Sequence, residues 1–232
     1  MNAIGNELPD WVVPFSAISR VDLTTIATAL NLSAEDTLVD LGCGSGGSAI
    51  WLSEFTGASV VGVDISATAI ENARALAERR GLSERARFVT ADAIASGLAG
   101  AEADAVVSID AVMFSDPTAF IAEIARLLRP QGRAVVVAAQ AISEEAPDVL
   151  PRNYRPLFTA CGLNVLEYRV LKGYDERLLS LYRALNDRAD GLRREIGVGG
   201  DYLIAEAQKW LSREHLPPRT REMLIVAEQQ QS

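Results

Sequence analysis

Val39-Asp40-Leu41-Gly42-Cys43-Gly44-Ser45-Gly46-Gly47 follows a short apolar run and carries four glycines in its last six residues. Glycine reaches positive φ without steric cost and lets another molecule approach the main chain. A helix-compatible segment follows directly, with Ala49, Ile50, Leu52 and Phe55 as its inward side. A strand, a glycine turn and a helix N-terminus together make a nucleotide-sized site, because unpaired backbone N–H groups point into the crevice.

Outward from this turn, apolar runs alternate with amphipathic segments. Residues 37–41 read as a first strand and 59–63 as a second, ending at Asp64. Ser66 is a good N-cap for a helix to Arg80, in which Ala69, Ile70, Ala73, Leu76 and Ala77 follow a 3.6-residue period. Residues 86–90 and 105–109 read as third and fourth strands, running into Ala91-Asp92-Ala93 and Asp110. Asp116-Pro117 opens the next helix, with the proline at its first position. Arg129-Pro130-Gln131-Gly132 turns the chain into a fifth strand, 134–138, whose continuous apolar run suits a buried parallel strand. Residues 149–161 read as helical but broken by Pro151 and Pro156, 164–171 as a sixth strand and 221–227 as a seventh.

This alternation predicts an α/β fold with a doubly wound, mostly parallel sheet and helices on both faces. Right-handed crossovers bring the strand C-termini to one edge, and with them Asp40, Asp64, Asp92 and Asp110. Four acids at four strand ends are hard to explain as core packing and belong in a ligand crevice. The expected organisation is one domain over 1–232. It comprises an N-terminal helical cap (1–36), a core (37–171), a helical insertion (172–219) and a last strand (220–228). In the cap, Trp11, Phe15 and Ile18 are spaced about a helical turn apart, and 21–30 reads as an amphipathic helix.

The formal net charge of −9, from 31 acidic against 22 basic residues, disfavours nucleic acid as a partner. No apolar run approaches the roughly 18 residues of a membrane span. The first ten residues lack the basic-then-apolar pattern of a secretory leader, so the expectation is a soluble cytoplasmic protein, monomeric or homodimeric. Two cysteines, Cys43 and Cys161, and one histidine, His215, lack metal-ligand spacing, so no metal is expected.

Two cofactor patterns fit the glycines. Gly42-x-Gly44-x-x-Gly47 satisfies the dinucleotide fingerprint, and Gly42-x-Gly44-x-Gly46 a tighter S-adenosylmethionine pattern. Asp40 separates them, lying two residues before the first glycine where a diphosphate would pass. A carboxylate roughly 6 Å from a phosphate charge costs about 3 kcal/mol at an effective dielectric near 20. S-adenosylmethionine instead brings an ammonium and a sulfonium, for which an acid is welcome. A nicotinamide oxidoreductase would also want a Tyr–Lys or His pair, against only Lys172, Lys209 and His215.

Val39 to Gly47 resembles motif I of the class I S-adenosylmethionine-dependent methyltransferases. Val60-Val61-Gly62-Val63-Asp64-Ile65-Ser66 resembles their ribose-binding second motif, and Ala91-Asp92-Ala93 the adenine-binding third. The stretch 104–110 and Leu127-Leu128-Arg129-Pro130-Gln131-Gly132-Arg133 resemble the fourth-strand motif and the turn before the fifth strand. The resemblance covers roughly residues 35–140 and implies a Rossmann-like seven-stranded sheet with an antiparallel last strand.

It also implies roles. Gly42, Gly44 and Gly46 would let the methionyl part approach, with Asp40 placing its ammonium and Ser108 lining that side. Asp64 would take the ribose hydroxyls, Ile65 would pack on the adenine, and Asp92 with the Ala93 N–H would meet the adenine edge. Asp110 or Met113 would lie near the methyl, and Arg20 would pair with the cofactor carboxylate.

Methyl transfer is an in-line displacement in which alignment supplies much of the rate, and a base is needed only for a protonated acceptor. The sequence singles out no catalytic residue; His215 and Asp110 are the candidates. The insertion 172–219 is expected to cap the acceptor pocket, with Trp11, Phe15, Phe114, Tyr174 and Tyr182 among its lining residues. Ser108-Ile109-Asp110-Ala111 lacks the Asn/Asp-Pro-Pro-aromatic motif of nucleic-acid amine methyltransferases. The expected function is therefore methylation of N, O or C of a small metabolite or natural-product intermediate. The alternatives are a nicotinamide-dependent oxidoreductase or a non-catalytic S-adenosylmethionine-binding module.

Overall fold

A computed structural model describes residues 7–12, 16–196, 198–216 and 218–230. Seven strands form one sheet: β1 (Thr37–Leu41), β2 (Ser59–Asp64), β3 (Ala86–Thr90), β4 (Ala103–Ile109), β5 (Leu128–Ala141), β6 (Leu163–Val170) and β7 (Thr220–Gln229). Their order is β3-β2-β1-β4-β5-β7-β6. The first five run parallel, and β7 lies antiparallel between β5 and β6. The winding reverses between β1 and β4, the place in an open α/β sheet where the strand ends part and a ligand can enter.

Strand alternation splits the core in two. Leu38, Val60, Ala105, Val107, Val135 and Leu224 face α1 (Arg20–Leu30), α2 (Gly47–Thr56) and α3 (Ala67–Arg79). Val39, Val63, Val106, Val136 and Ile225 face α4 (Pro117–Leu127) and α5 (Arg155–Ala160). Both faces are covered, which is why the central strands read as unbroken apolar runs. The caps form as their residue types require: the Ser66 hydroxyl accepts from the Ala69 N–H at 3.2 Å, and Asp116 Oδ1 from the Ala119 N–H at 2.7 Å.

Three segments differ from the sequence-based expectation. Arg129 to Gly132 is not a turn before β5 but a bulge within it. The ladder to β4 passes from Ala103↔Leu128 to Ala105↔Arg133, and Gln131 takes φ +65°. Arg129 then pairs with Asp104, the residue opposite the bulge, while Asp104 Oδ2 accepts from the Thr37 N–H at 2.7 Å. Residues 149–154 are irregular, and only α5 is helical in that region. Described residues between 7 and 19 form no helix, so the helical spacing of Trp11 and Ile18 was coincidental.

The insertion folds as α6 (Tyr174–Asp187), α7 (Ala189–Ile196) and α8 (Val198–Leu211). It is fastened to the N-terminal segment by the Arg177 guanidinium and by the Tyr174 hydroxyl, which accepts from the Ala17 N–H at 3.4 Å. Arg177 Nε donates to the Ala17 carbonyl at 2.7 Å and Nη2 to Asp22 Oδ2 at 2.5 Å. Asp22 also closes the capping box of α1, accepting from the Ser19 N–H at 2.8 Å. Replacing Arg177 with Ala leaves a largely buried carboxylate without its ion partner, so urea unfolding should show a loss of about 2 kcal/mol. Limited proteolysis should cut the released segment near residue 16 before the core, and equal cleavage of both proteins would contradict this fastening.

Candidate active site

The glycine turn is built on the end of β2. The N–H groups of Gly42 and Cys43 both donate to the Val63 carbonyl, at 2.8 and 3.0 Å, and the Gly44 N–H donates to Asp64 Oδ2 at 2.9 Å. The other Asp64 oxygen accepts from the Ser66 N–H at 2.9 Å. The carboxylate is thus locked in orientation by two backbone donors. A carboxylate offers about four acceptor sites, so both oxygens retain capacity for a pair of ribose hydroxyls.

Two glycines show different demands. Gly42 has φ +82°, and a Cβ there would lie 2.2 Å from the Ala111 Cβ, so packing of the turn against the start of the β4 loop excludes any side chain. Gly44 has φ +52° with nothing within 4 Å of its Cβ position. Among the described residues, none approaches that position, as a ligand-facing one requires. Gly46 caps α2 without a side-chain hydrogen bond. The first N–H groups of that helix are left to an anionic partner such as a carboxylate.

Asp40 lies beneath the turn, 2% exposed. Burial, and then the neighbouring Asp64 charge, push its carboxyl up to about 7. A cation arriving at the turn would relieve that cost. Ile65 stands 74% exposed at the rim, a large apolar side chain suited to covering by a flat ring. Asp92 Oδ1 accepts from the Ile94 N–H at 3.1 Å and its carbonyl from the Ala95 N–H at 3.0 Å, leaving Oδ2 and the Ala93 N–H outside these bonds. The loop behind it is held by Glu123, a residue the sequence reading missed. Its Oε1 accepts from the Ser96 N–H at 3.0 Å and from the Ser96 hydroxyl at 2.5 Å, and Arg126 pairs with both its oxygens.

At the β4 end, the left-handed φ of +56° at Asp110 turns its side chain out of the strand's alternation. Its Oδ2 accepts from the Tyr174 hydroxyl at 2.5 Å, on the face covered by α1 and α6. A non-glycine residue in this region carries strain of roughly 1–2 kcal/mol and often marks a functional position. Burial, opposed by bonds from Ser16, Tyr174 and Glu222, leaves the Asp110 carboxyl above its usual range. Met113 and Phe114 line an open groove of about 510 Å³ with Ser115, Asp116, Pro117 and Val149, and Phe114 is 70% exposed.

Asp40, Asp64, Asp92 and Asp110, the glycines, Ile65, Met113, Phe114 and Tyr174 therefore gather along one sheet edge. Other expected residues fall elsewhere. Trp11 lies under the Arg80 guanidinium, 4.4 Å from ring centroid to Cζ, and Arg80 pairs with Glu54. Both charged residues sit at the C-terminal ends of helices that run back from the site, so Trp11 packs at the opposite edge of the sheet. Tyr182 stacks on Trp210 within the α6–α8 pair at 5.9 Å. Ser108 is fully buried on the α4 side of β4 and does not open onto the crevice. Arg20 is an exposed first residue of α1, and His215 is exposed in the turn after α8, outside the buried cluster. Phe15 lies outside the described residues.

Gly44→Ala should cost the fold about 1 kcal/mol yet abolish cofactor uptake, since its Cβ enters the open space. Gly42→Ala should instead lower the melting temperature strongly; equal effects of the two on stability would refute the distinction. Because a bound ammonium favours ionised Asp40, S-adenosylhomocysteine affinity should fall as pH drops below about 7, approaching tenfold per unit. Titration calorimetry in buffers of different ionisation enthalpy should report about half a proton released at pH 7. In the free protein, ionising Asp40 is unfavourable to the fold, so stability is lost as pH rises through about 7 and Asp40→Asn should flatten that decline.

Residues 39–136 match the family model described as a methyltransferase domain. The methyltransferase GfsG of Streptomyces halstedii is 30% identical over 162 residues, which is 68% of this chain and 58% of GfsG. The sterol 24-C-methyltransferase of Pneumocystis carinii is 32% identical over 108 residues, covering 46% of this chain and 29% of that protein. The chain thus spans less than two thirds of the length of these relatives. Among solved structures, the [4+2]-cyclase SpnF superposes with a TM-score of 0.82 at 19% identity, covering 97% of this chain and 85% of SpnF. With the acids and glycines of the first three motifs in place on that fold, residues 39–136 form a methyltransferase domain of this family.

Proposed function

We propose that this protein transfers the methyl group of S-adenosylmethionine to N, O or C of a small-molecule acceptor. The observation that carries this reading is the Asp64 carboxylate, held by the Gly44 and Ser66 N–H groups beside the open space at Gly44. In this arrangement Asp64 would hold the ribose, Asp92 and Ile65 the adenine, and the uncapped start of α2 the carboxylate. Asp40 would balance the ammonium. The cofactor supplies a methyl carbon on a positively charged sulfur leaving group. The protein's part is to fix its orientation, exclude water and aim the acceptor along the line of displacement.

The buried Asp40 argues against a nicotinamide dinucleotide, whose diphosphate would pass over an acid already short of solvation. A small acceptor agrees with the relatives, whose names speak of sterol, tocopherol and geranyl diphosphate methylation. The groove at Met113 and Phe114 and the cover formed by α6 to α8 are the proposed acceptor side.

Isothermal titration with S-adenosylhomocysteine and with NAD separates the readings. S-adenosylhomocysteine should bind wild type, Asp64→Ala should weaken that binding at least tenfold, and NAD should give no heat. NAD binding without S-adenosylhomocysteine binding would overturn the proposal. A radiolabelled methyl-transfer screen over phenols, enolisable carbonyls and amines then defines the acceptor class.

A further inference from the structure

Two carboxyl groups meet at the acceptor end of the crevice, with no cation between them among the described residues. Glu222 lies near the start of β7, which runs antiparallel and so begins at the edge where β4 ends. Its side chain is on the face of Leu224 and Val226, the face to which Asp110 is turned. Glu222 is 6% exposed, and its Oε1 is buried without a hydrogen-bond donor. Asp110 Oδ1 is buried and equally without a donor, although the two carboxyls lie within hydrogen-bonding reach.

Around the pair stand the Ser16 hydroxyl from the N-terminal segment, Tyr174 and Asp175 from the start of α6, and Asp22 from α1. Arg177, the guanidinium in this network, is engaged by Asp22 and the Ala17 carbonyl. Two ionised carboxylates facing one another in such a place would leave two buried acceptors unsatisfied and two like charges in contact. One proton removes both penalties by turning an acceptor into a donor.

We infer that Glu222 retains its proton and hydrogen-bonds through it to the Asp110 carboxylate, leaving Asp110 as the anionic proton acceptor for the substrate being methylated. The division of roles follows from exposure. Glu222 is enclosed, whereas Asp110 is half-buried at the end of β4 and has the Tyr174 hydroxyl on its other oxygen. Burial and the Asp110 charge hold the Glu222 carboxyl well above its usual range, and the hydrogen bond works the opposite way on Asp110.

In the step this supports, the acceptor X–H bond breaks and its proton moves to Asp110. The freed electron pair forms the bond to the methyl carbon, while the carbon–sulfur pair stays on sulfur. Asp110 later returns the proton to solvent. This rests on the methyltransferase reading and narrows it to acceptors that must lose a proton, namely hydroxyls and enolisable carbons. Glu222 acts through Asp110 and is a positioning residue.

Infrared difference spectroscopy of the S-adenosylhomocysteine-saturated protein tests the shared proton without any acceptor. Wild type minus Glu222→Gln at pH 7 should show a protonated carboxyl band that shifts in D2O. Asp110→Asn, a second variant should the first misfold, should shift or remove that band. A spectrum without the band, or a band unchanged in both variants, overturns the inference.

For acceptors turned over in the screen, Asp110→Asn should lower turnover about 100- to 10,000-fold with S-adenosylhomocysteine affinity within about twofold. Glu222→Ala should move the acid limb of the pH–rate profile upward, and Glu222→Gln, which still donates, should restore it. Wild-type turnover in Asp110→Asn would remove the catalytic role. Failure of S-adenosylhomocysteine to bind would instead fall on the methyltransferase reading.

Discussion

The Asp64 carboxylate is the constraint on which the site depends. With one oxygen on Gly44 and the other on Ser66, it joins the glycine turn after β1 to the helix start after β2. Two neighbouring parallel strands thereby end in one rigid unit rather than two independent loops. The Val63 carbonyl adds a second fastening by accepting from both Gly42 and Cys43. A crevice held this way is oriented by the protein's own bonds, and ligand binding then loses less to ordering of loops.

The same edge carries an electrostatic cost. Asp40, Asp110 and Glu222 are acids driven upward by burial, and a neighbouring acid adds to the rise at Asp40 and at Glu222. A fold selected only for stability would replace such groups with apolar ones, as buried charges without partners are unfavourable. Their persistence along one edge is understandable if the partner is a cation for Asp40 and an acceptor's proton for Asp110. The methionyl end and the acceptor end then use one physical device, an acid kept short of solvation until the right group arrives.

Much of this was legible in the chain. Strand ends announced Asp40, Asp64, Asp92 and Asp110, because parallel crossovers place every such end on one edge whatever the details of packing. Glycine spacing identified the turn, and the caps at Ser66 and Asp116 formed where hydroxyl and carboxylate side chains required. What stayed hidden depended on pairing across long separations. Glu222 reads as an ordinary strand residue until β7 is known to lie antiparallel beside β5. Arg177 meets Asp22 across 155 residues, and no local pattern signals it. Trp11 was placed at the wrong edge because an irregular segment has no period to show which way it runs. Arg129 to Gly132 resembled a turn because its composition is that of one, and only the β4 ladder converts it into a bulge.

The most direct test of the account is a crystal structure of the protein with S-adenosylhomocysteine. The ribose hydroxyls should lie on the two Asp64 oxygens, the methionyl chain should pass in front of Gly44, and the sulfur should be directed toward Asp110. Density for the ligand elsewhere, or a ribose turned away from Asp64, would contradict it.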